Sequence, residues 1–228
     1  MGKVCLIYGE SGSGKSTSLR NFEPNELGIF NISQKPLPFK KKLPMAMTDN
    51  YEVIKKHLKE NNKNCYVLDD VGLAMTFYLF NHCLENGYQK FTQAAKDFYD
   101  LVTCAIRETS DDTIVYFIMH VERSDDGSRL KAKTAGKMID NQLTLESLFS
   151  IVLYATTDGK KHTFITQSDG ATTAKSPMDM FPIEMDNDLK AVDTAIREYY
   201  ELAKLGSKPE KKKAEGQVTT SKTLPKEG

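Results

Sequence analysis

Nine residues near the start of the chain, Gly9-Glu10-Ser11-Gly12-Ser13-Gly14-Lys15-Ser16-Thr17, constrain its fold more than any other feature. They read as glycine, four variable residues, then Gly-Lys-Ser, and they directly follow the apolar run 4–8. Chance gives this pattern in about one chain in a hundred of this length, and the preceding strand lowers that further. The glycines let the backbone curl so that successive N–H groups point inward at phosphate oxygens. A helix is expected to open over residues 16–21 and to add the positive end of its dipole. Lys15 is placed to reach the β- and γ-phosphates, and the Ser16 hydroxyl to meet Mg²⁺. Residues 9–17 are therefore the expected binding loop for ATP and Mg²⁺.

Such a loop needs a carboxylate at the end of a neighbouring strand to hold the metal through water. The apolar run 65–68 stops at Asp69-Asp70. Asp69 is the expected second metal contact, beside the loop at the carboxyl edge of the sheet. It also suits the cap of the next helix, with Asp70 sharing the work. The most β-like run of the chain, 113–119, ends at His120. There an imidazole can sense the γ-phosphate or bond the attacking water; a satisfied loop histidine is the plainer alternative. Glu122 is a second candidate, as a water-activating carboxylate.

The remaining pattern is α/β. Strands are expected at 28–32 and 65–68, and helices at 51–60, 73–85, 91–108 and 189–205. Residues 33–44, with three prolines and four lysines, read as an extended loop. Runs 149–156 and 161–167 flank Asp158-Gly159, a hairpin signal. Strands alternating with helices imply a largely parallel sheet covered on both faces, with antiparallel strands added at one edge. The globular domain is expected over residues 1–205, and residues 206–228 as a disordered, Lys-rich tail.

Composition bounds the partners. The 228 residues carry 31 basic and 31 acidic side chains, so no global basic field announces nucleic acid. No apolar run approaches the roughly 18 residues that span a bilayer. A cleaved leader at the start would destroy the phosphate loop, so none is expected. Cys5, Cys65, Cys83 and Cys104 form no metal-binding spacing; reduced thiols fit a cytoplasmic protein.

The layout resembles the RecA-like P-loop ATPases, specifically small phage-encoded ATP-binding proteins grouped with single-strand annealing proteins. The segments that carry the resemblance are GESGSGKST at 9–17, NISQKPLPF at 31–39, the strand 65–69, Ile118-Met119-His120, and Thr173-Ala174-Lys175-Ser176-Pro177. It spans residues 1 to about 203. It implies a RecA-like core, a role in phage DNA recombination, annealing or replication within the bacterial host cytoplasm, single-stranded DNA as ligand, and head-to-tail assembly. It also implies that Lys175 crosses to the γ-phosphate of a neighbouring subunit. One departure stands out: RecA-like proteins carry a catalytic glutamate after the second core strand, and here Ile32-Ser33-Gln34-Lys35 offers no carboxylate.

Two functions are open on these residues. In the first, an ATP-dependent protein binds single-stranded DNA through a mobile loop, 123–137, that holds Arg123, Arg129, Lys131, Lys133 and Lys137. The loop has no aromatic residue, so contact is electrostatic, and Asp125 and Asp126 weaken its field. The alternative is a small nucleotide kinase or phosphotransferase. Against it, arginine is scarce where such enzymes close an arginine-rich lid. A partition or regulatory ATPase switch is a third class.

Overall fold

The computed structural model of the chain describes residues 1–135 and 144–208. At its centre runs β1 (Lys3–Gly9), whose side chains alternate between two apolar layers as the pleat requires. Val4, Leu6 and Tyr8 enter one layer, Cys5 and Ile7 the other. A strand apolar on both faces belongs inside a parallel sheet covered on both sides. β2 (Gly28–Asn31), β3 (Met45–Met47), β4 (Cys65–Asp69), β5 (Ile114–Arg123) and β7 (Ile151–Thr157) run parallel with it. β8 (His162–Ile165) and β9 (Glu184–Asp186) add an antiparallel edge. The order is β3-β2-β4-β5-β1-β7-β8-β9, and β6 (Leu130–Ala132) pairs antiparallel with the outer end of β5.

Three helices, α1 (Tyr51–Glu60), α2 (Gly72–Asn81) and α3 (Gln89–Arg107), pack on the Val4-Leu6-Tyr8 face. The other face is covered by α4 (Leu189–Tyr199) and by a 3-10 turn at Ser16–Asn21. Local chemistry sets the boundaries. Asn50 caps α1 by accepting from the Glu52 and Val53 amides, and Asn61 ends it in the left-handed region. Asp188 caps α4 in the same way.

α4 is fastened to the lower ends of the strands by a buried ion pair. Asp193 accepts from Arg197 Nε at 2.5 Å and from the Tyr116 hydroxyl at 3.0 Å. Arg197 also donates to the carbonyls of Asn64, Asp112 and Ala203. Burying these charges is tolerated because each is paired and hydrogen-bonded. Beyond α4, the Gly206 amide donates to Asn64 Oδ1 and the Asn64 amide group to the Ser207 hydroxyl. Contacts with the domain thus continue two residues past position 205; residues 209–228 lie outside those described.

The expected fold class is the observed one: a mainly parallel α/β sheet, helices on both faces and a C-terminal hairpin turning at residues 158–159. Four expectations need correction. The helix after the phosphate loop is only a six-residue 3-10 turn, because Phe22 is extended ahead of Glu23-Pro24 and proline disfavours helix at the residue before it. Its dipole adds correspondingly little. The strand expected to end at residue 119 continues to Arg123. The stretch from 123, expected as a mobile loop, is instead the tip and return strand of a β-ribbon as far as it is described. A built turn closes it: Asp126 accepts from the Ser124 and Ser128 hydroxyls and the Ser128 amide, which holds its carboxyl down at about 2. Lastly, two helices are shorter than expected, α2 ending at Asn81 and α4 at Tyr199.

Candidate functional site

The carboxyl ends of β1, β4 and β5 meet at one edge of the sheet, with Gly9 level with His120. The loop after β1 curls as its sequence dictates. Gly12 and Gly14 take φ of 83° and 90°, conformations that favour glycine. A side chain on Gly14 would strike His162 and Asn187, and one on Gly9 would strike the Ala155 carbonyl. Lys15 is 6% exposed and folds back, its Nζ donating to the carbonyls of Gly9 at 2.8 Å and Glu10 at 2.7 Å. Burial lowers its pKa, while Asp70, Asp69 and Glu10 oppose the shift.

Ser16 and Asp69 meet directly, the hydroxyl donating to the carboxylate at 2.9 Å. Asp69 does not neighbour β1 in the sheet, since β5 is inserted between β4 and β1. Both residues nevertheless reach one cleft of about 350 Å³, whose walls include Gly12, Lys15, Ser16, Asp70 and His120. Burial, then the neighbouring Asp70, pushes the Asp69 carboxyl up to about 6; Ser16 and Lys15 pull it down.

His120 Nε2 stands 3.4 Å from Asp70 Oδ1. Asp70 itself adopts φ 58°, a left-handed conformation uncommon outside glycine, and this turns its side chain into the cleft. The His120 pKa is lowered, first by burial and then by Lys15, Lys133 and Lys35, with Asp70 opposing. Its imidazole is therefore neutral at neutral pH.

Of the expected site residues, the fold brings Ser11, Gly12, Gly14, Lys15, Ser16, Thr17, Asp69, Asp70 and His120 to the cleft. Glu122 is not among its walls; it forms an ion pair with Lys131, 3.4 Å from its Nζ, on the ribbon. Lys175 is also elsewhere, its main chain bonded both ways to Val152, three residues before the Ala155 level of the cleft. Arg123, Arg129 and Lys133 are exposed on the ribbon, and Lys131 is half-buried. Lys137 lies outside the described residues. Five cleft residues were not among those expected: Ser33, Lys35, Pro36 and Pro38 after β2, and His162 on β8. The resemblance pointed to the loop after β2 only as the place of a missing glutamate, and nothing in the local sequence of His162 signals its position.

The donor set fits a hard cation with phosphates. A hydroxyl and a buried carboxylate, both oxygen, converge beside backbone amides and a lysine. Among the described residues no group of three His, Cys, Asp or Glu can hold an ion alone. That agrees with magnesium, which takes one or two carboxylates and completes its shell with phosphate and water. The Ser13 hydroxyl is buried in the loop without a partner among the described residues.

No helix among the described residues is long and apolar enough to cross a membrane. No curated protein matches the chain. An AAA domain family matches residues 1–178, which contain β1, the phosphate loop and every wall of the cleft named above. With most of its length matched, the chain belongs to the AAA domain family and has a P-loop NTPase core.

Proposed function

We propose that this protein binds ATP with Mg²⁺, hydrolyses it, and couples that cycle to single-stranded DNA in phage recombination, annealing or replication. The observation that carries the reading is one hydrogen bond. The Lys133 amide donates to the His120 carbonyl at 2.7 Å, so the basic ribbon is joined to the cleft at its most versatile residue.

Within the cleft the division of labour comes from the geometry. Loop amides and Lys15 hold the phosphate chain. Ser16 and Asp69 would hold the metal, which would supply positive charge against the phosphates. Water attacks the γ-phosphorus, the bond to the β–γ bridging oxygen breaks, and the proton of the water passes to the neutral His120, oriented by Asp70. No other carboxylate is needed from the loop after β2.

On the ribbon, Arg123, Arg129 and Lys133 supply exposed positive charge, and DNA contact there is electrostatic. Copies of the chain assemble head to tail, and Lys175 of one completes the cleft of the next. Its backbone is fixed by β7 away from its own cleft, which suits service to another. ATP turnover measured with and without a single-stranded oligonucleotide tests the whole reading. Stimulation by the oligonucleotide supports it. Turnover indifferent to DNA, or phosphoryl transfer to an added nucleoside monophosphate, counts against it.

A further inference from the structure

The segment leaving β2 forms a wall of the cleft without a part in the chemistry above. β2 ends at Asn31, paired with Asp69, so the chain emerges at the same edge of the sheet. Asn31 is buried and organises the turn after it. Its Nδ2 donates to the Lys35 carbonyl at 2.6 Å, and its Oδ1 accepts from the Ser33 hydroxyl at 3.1 Å. Gln34 turns the chain back at φ 57°, and Pro36 fixes the backbone after Lys35. These constraints deliver the Lys35 side chain to the cleft that holds Lys15, Asp69, Asp70 and His120. Among the described residues Lys35 has no carboxylate partner, whereas Lys131 on the ribbon has Glu122.

Position along the cleft selects the phosphate. In the order β2-β4-β5-β1, Lys35 sits at the far side from Gly14. Ser16 and Asp69 would hold a divalent ion against the terminal phosphates. A terminal phosphate held beside Asp69 would lie on the side of the cleft that Lys35 enters. There a second cation also offsets charge, since Asp69 and Asp70 together outnumber Lys15.

We propose that Lys35 contacts the terminal phosphate of a bound nucleoside triphosphate from within the same chain, and so makes the cleft distinguish triphosphate from diphosphate. This rests on the nucleotide reading above. It places a lysine where the RecA-like pattern has a glutamate, so the loop after β2 reads charge rather than activating water.

The test is equilibrium binding of ATP and ADP, each with and without Mg²⁺, to the wild type, Lys35→Ala and Lys35→Arg, with melting curves as a check on folding. The expected result is an ATP affinity about tenfold lower in Lys35→Ala, as for one lost charge-assisted contact, with ADP affinity unchanged and Lys35→Arg close to wild type. Equal losses for both nucleotides, or no loss for either, overturn the assignment while leaving nucleotide binding intact. If the wild type binds neither nucleotide, the nucleotide reading falls and this proposal with it.

Discussion

The Ser16 hydroxyl and the Asp69 carboxylate meet at 2.9 Å although β5 lies in the sheet between β4, which carries Asp69, and β1, which leads into the loop before Ser16. The contact sets an electrostatic condition on the cleft. Asp69 is 3% exposed, and burial with Asp70 beside it raises its carboxyl to about 6. A raised carboxyl favours the folded state while protonated. That contribution is full below about pH 4 and is lost as pH rises through about 6. Above that, the ligand-free protein carries an ionised carboxylate whose natural partner is a cation.

Asp69→Asn should therefore stabilise the ligand-free protein at pH 8 and leave it near wild type at pH 4. A gain of about 1–2 kcal/mol corresponds to roughly 2–8 °C in melting temperature. The same variant should bind nucleotide through the loop yet lose most of its magnesium-dependent turnover. Melting curves at the two pH values, paired with a turnover assay, check both halves. Normal turnover would place the metal carboxylate elsewhere.

Two glycines with similar backbones separate strain from crowding. Gly14 has φ 90°, and a Cβ there would lie 3.0 Å from His162 Nδ1 and 3.2 Å from Asn187 Nδ2. Gly127, at φ 70° in the ribbon turn, faces open space. Gly127→Ala should cost only backbone strain, about 1–2 kcal/mol. Gly14→Ala should cost more and weaken nucleotide binding as well. Denaturant titration of both variants decides; equal losses would mean that His162 and Asn187 give way freely.

Ribbon cations should act on DNA through salt dependence. Arg123→Ala, Arg129→Ala and Lys133→Ala should each reduce the slope of log affinity against log salt by about 0.7 for single-stranded DNA. Lys131→Ala should do less, because Glu122 already engages that charge. Anisotropy of a labelled oligonucleotide across a salt series is the measurement. Slopes unchanged in all four variants would remove DNA from the ribbon.

If Lys175 completes a neighbour's cleft, Lys175→Ala should retain nucleotide binding and lose DNA-stimulated turnover. Lys15→Ala should lose tight ATP binding. Mixed together, the two inactive variants should regain part of the activity, since one supplies an intact phosphate loop and the other an intact Lys175. A loss in Lys175→Ala without rescue on mixing argues for a structural role at Val152.

The phosphate loop and Asp69 were legible because each is fixed by a strand end, which shows as an apolar run that stops. His120 was found by the same signal although its strand runs on to Arg123, because the apolar run stops where the strand leaves the core. The three-residue strands β3 and β9 were not. Met45–Met47 and Glu184–Asp186, at three residues each, are too short to show a period and become strands by pairing with a sheet already formed. The ribbon was misread for a different reason. Asp126-Gly127 carries the same turn signal as Asp158-Gly159, but its flanks are charged rather than apolar and so read as a loop. The resemblance put residues 32–35 where a catalytic glutamate is expected, but it looks there for a carboxylate. That Lys35 itself enters the cleft depends on which strands lie side by side, which sequence spacing does not encode.

β5 continues for ten residues from Ile114 to Arg123, and its pairing with β1 ends at His120. Beyond that, β5 is paired with β6, and Leu130 of β6 is bonded in turn to Ala171, Thr173 and the Tyr8 hydroxyl, so the ribbon is braced along its return strand. A load at Arg129 therefore meets two supports, β5 running back to His120 and the segment 171–173 holding Leu130. One of those supports ends at His120, a wall of the cleft, so the ribbon is held there as a braced frame rather than on a hinge.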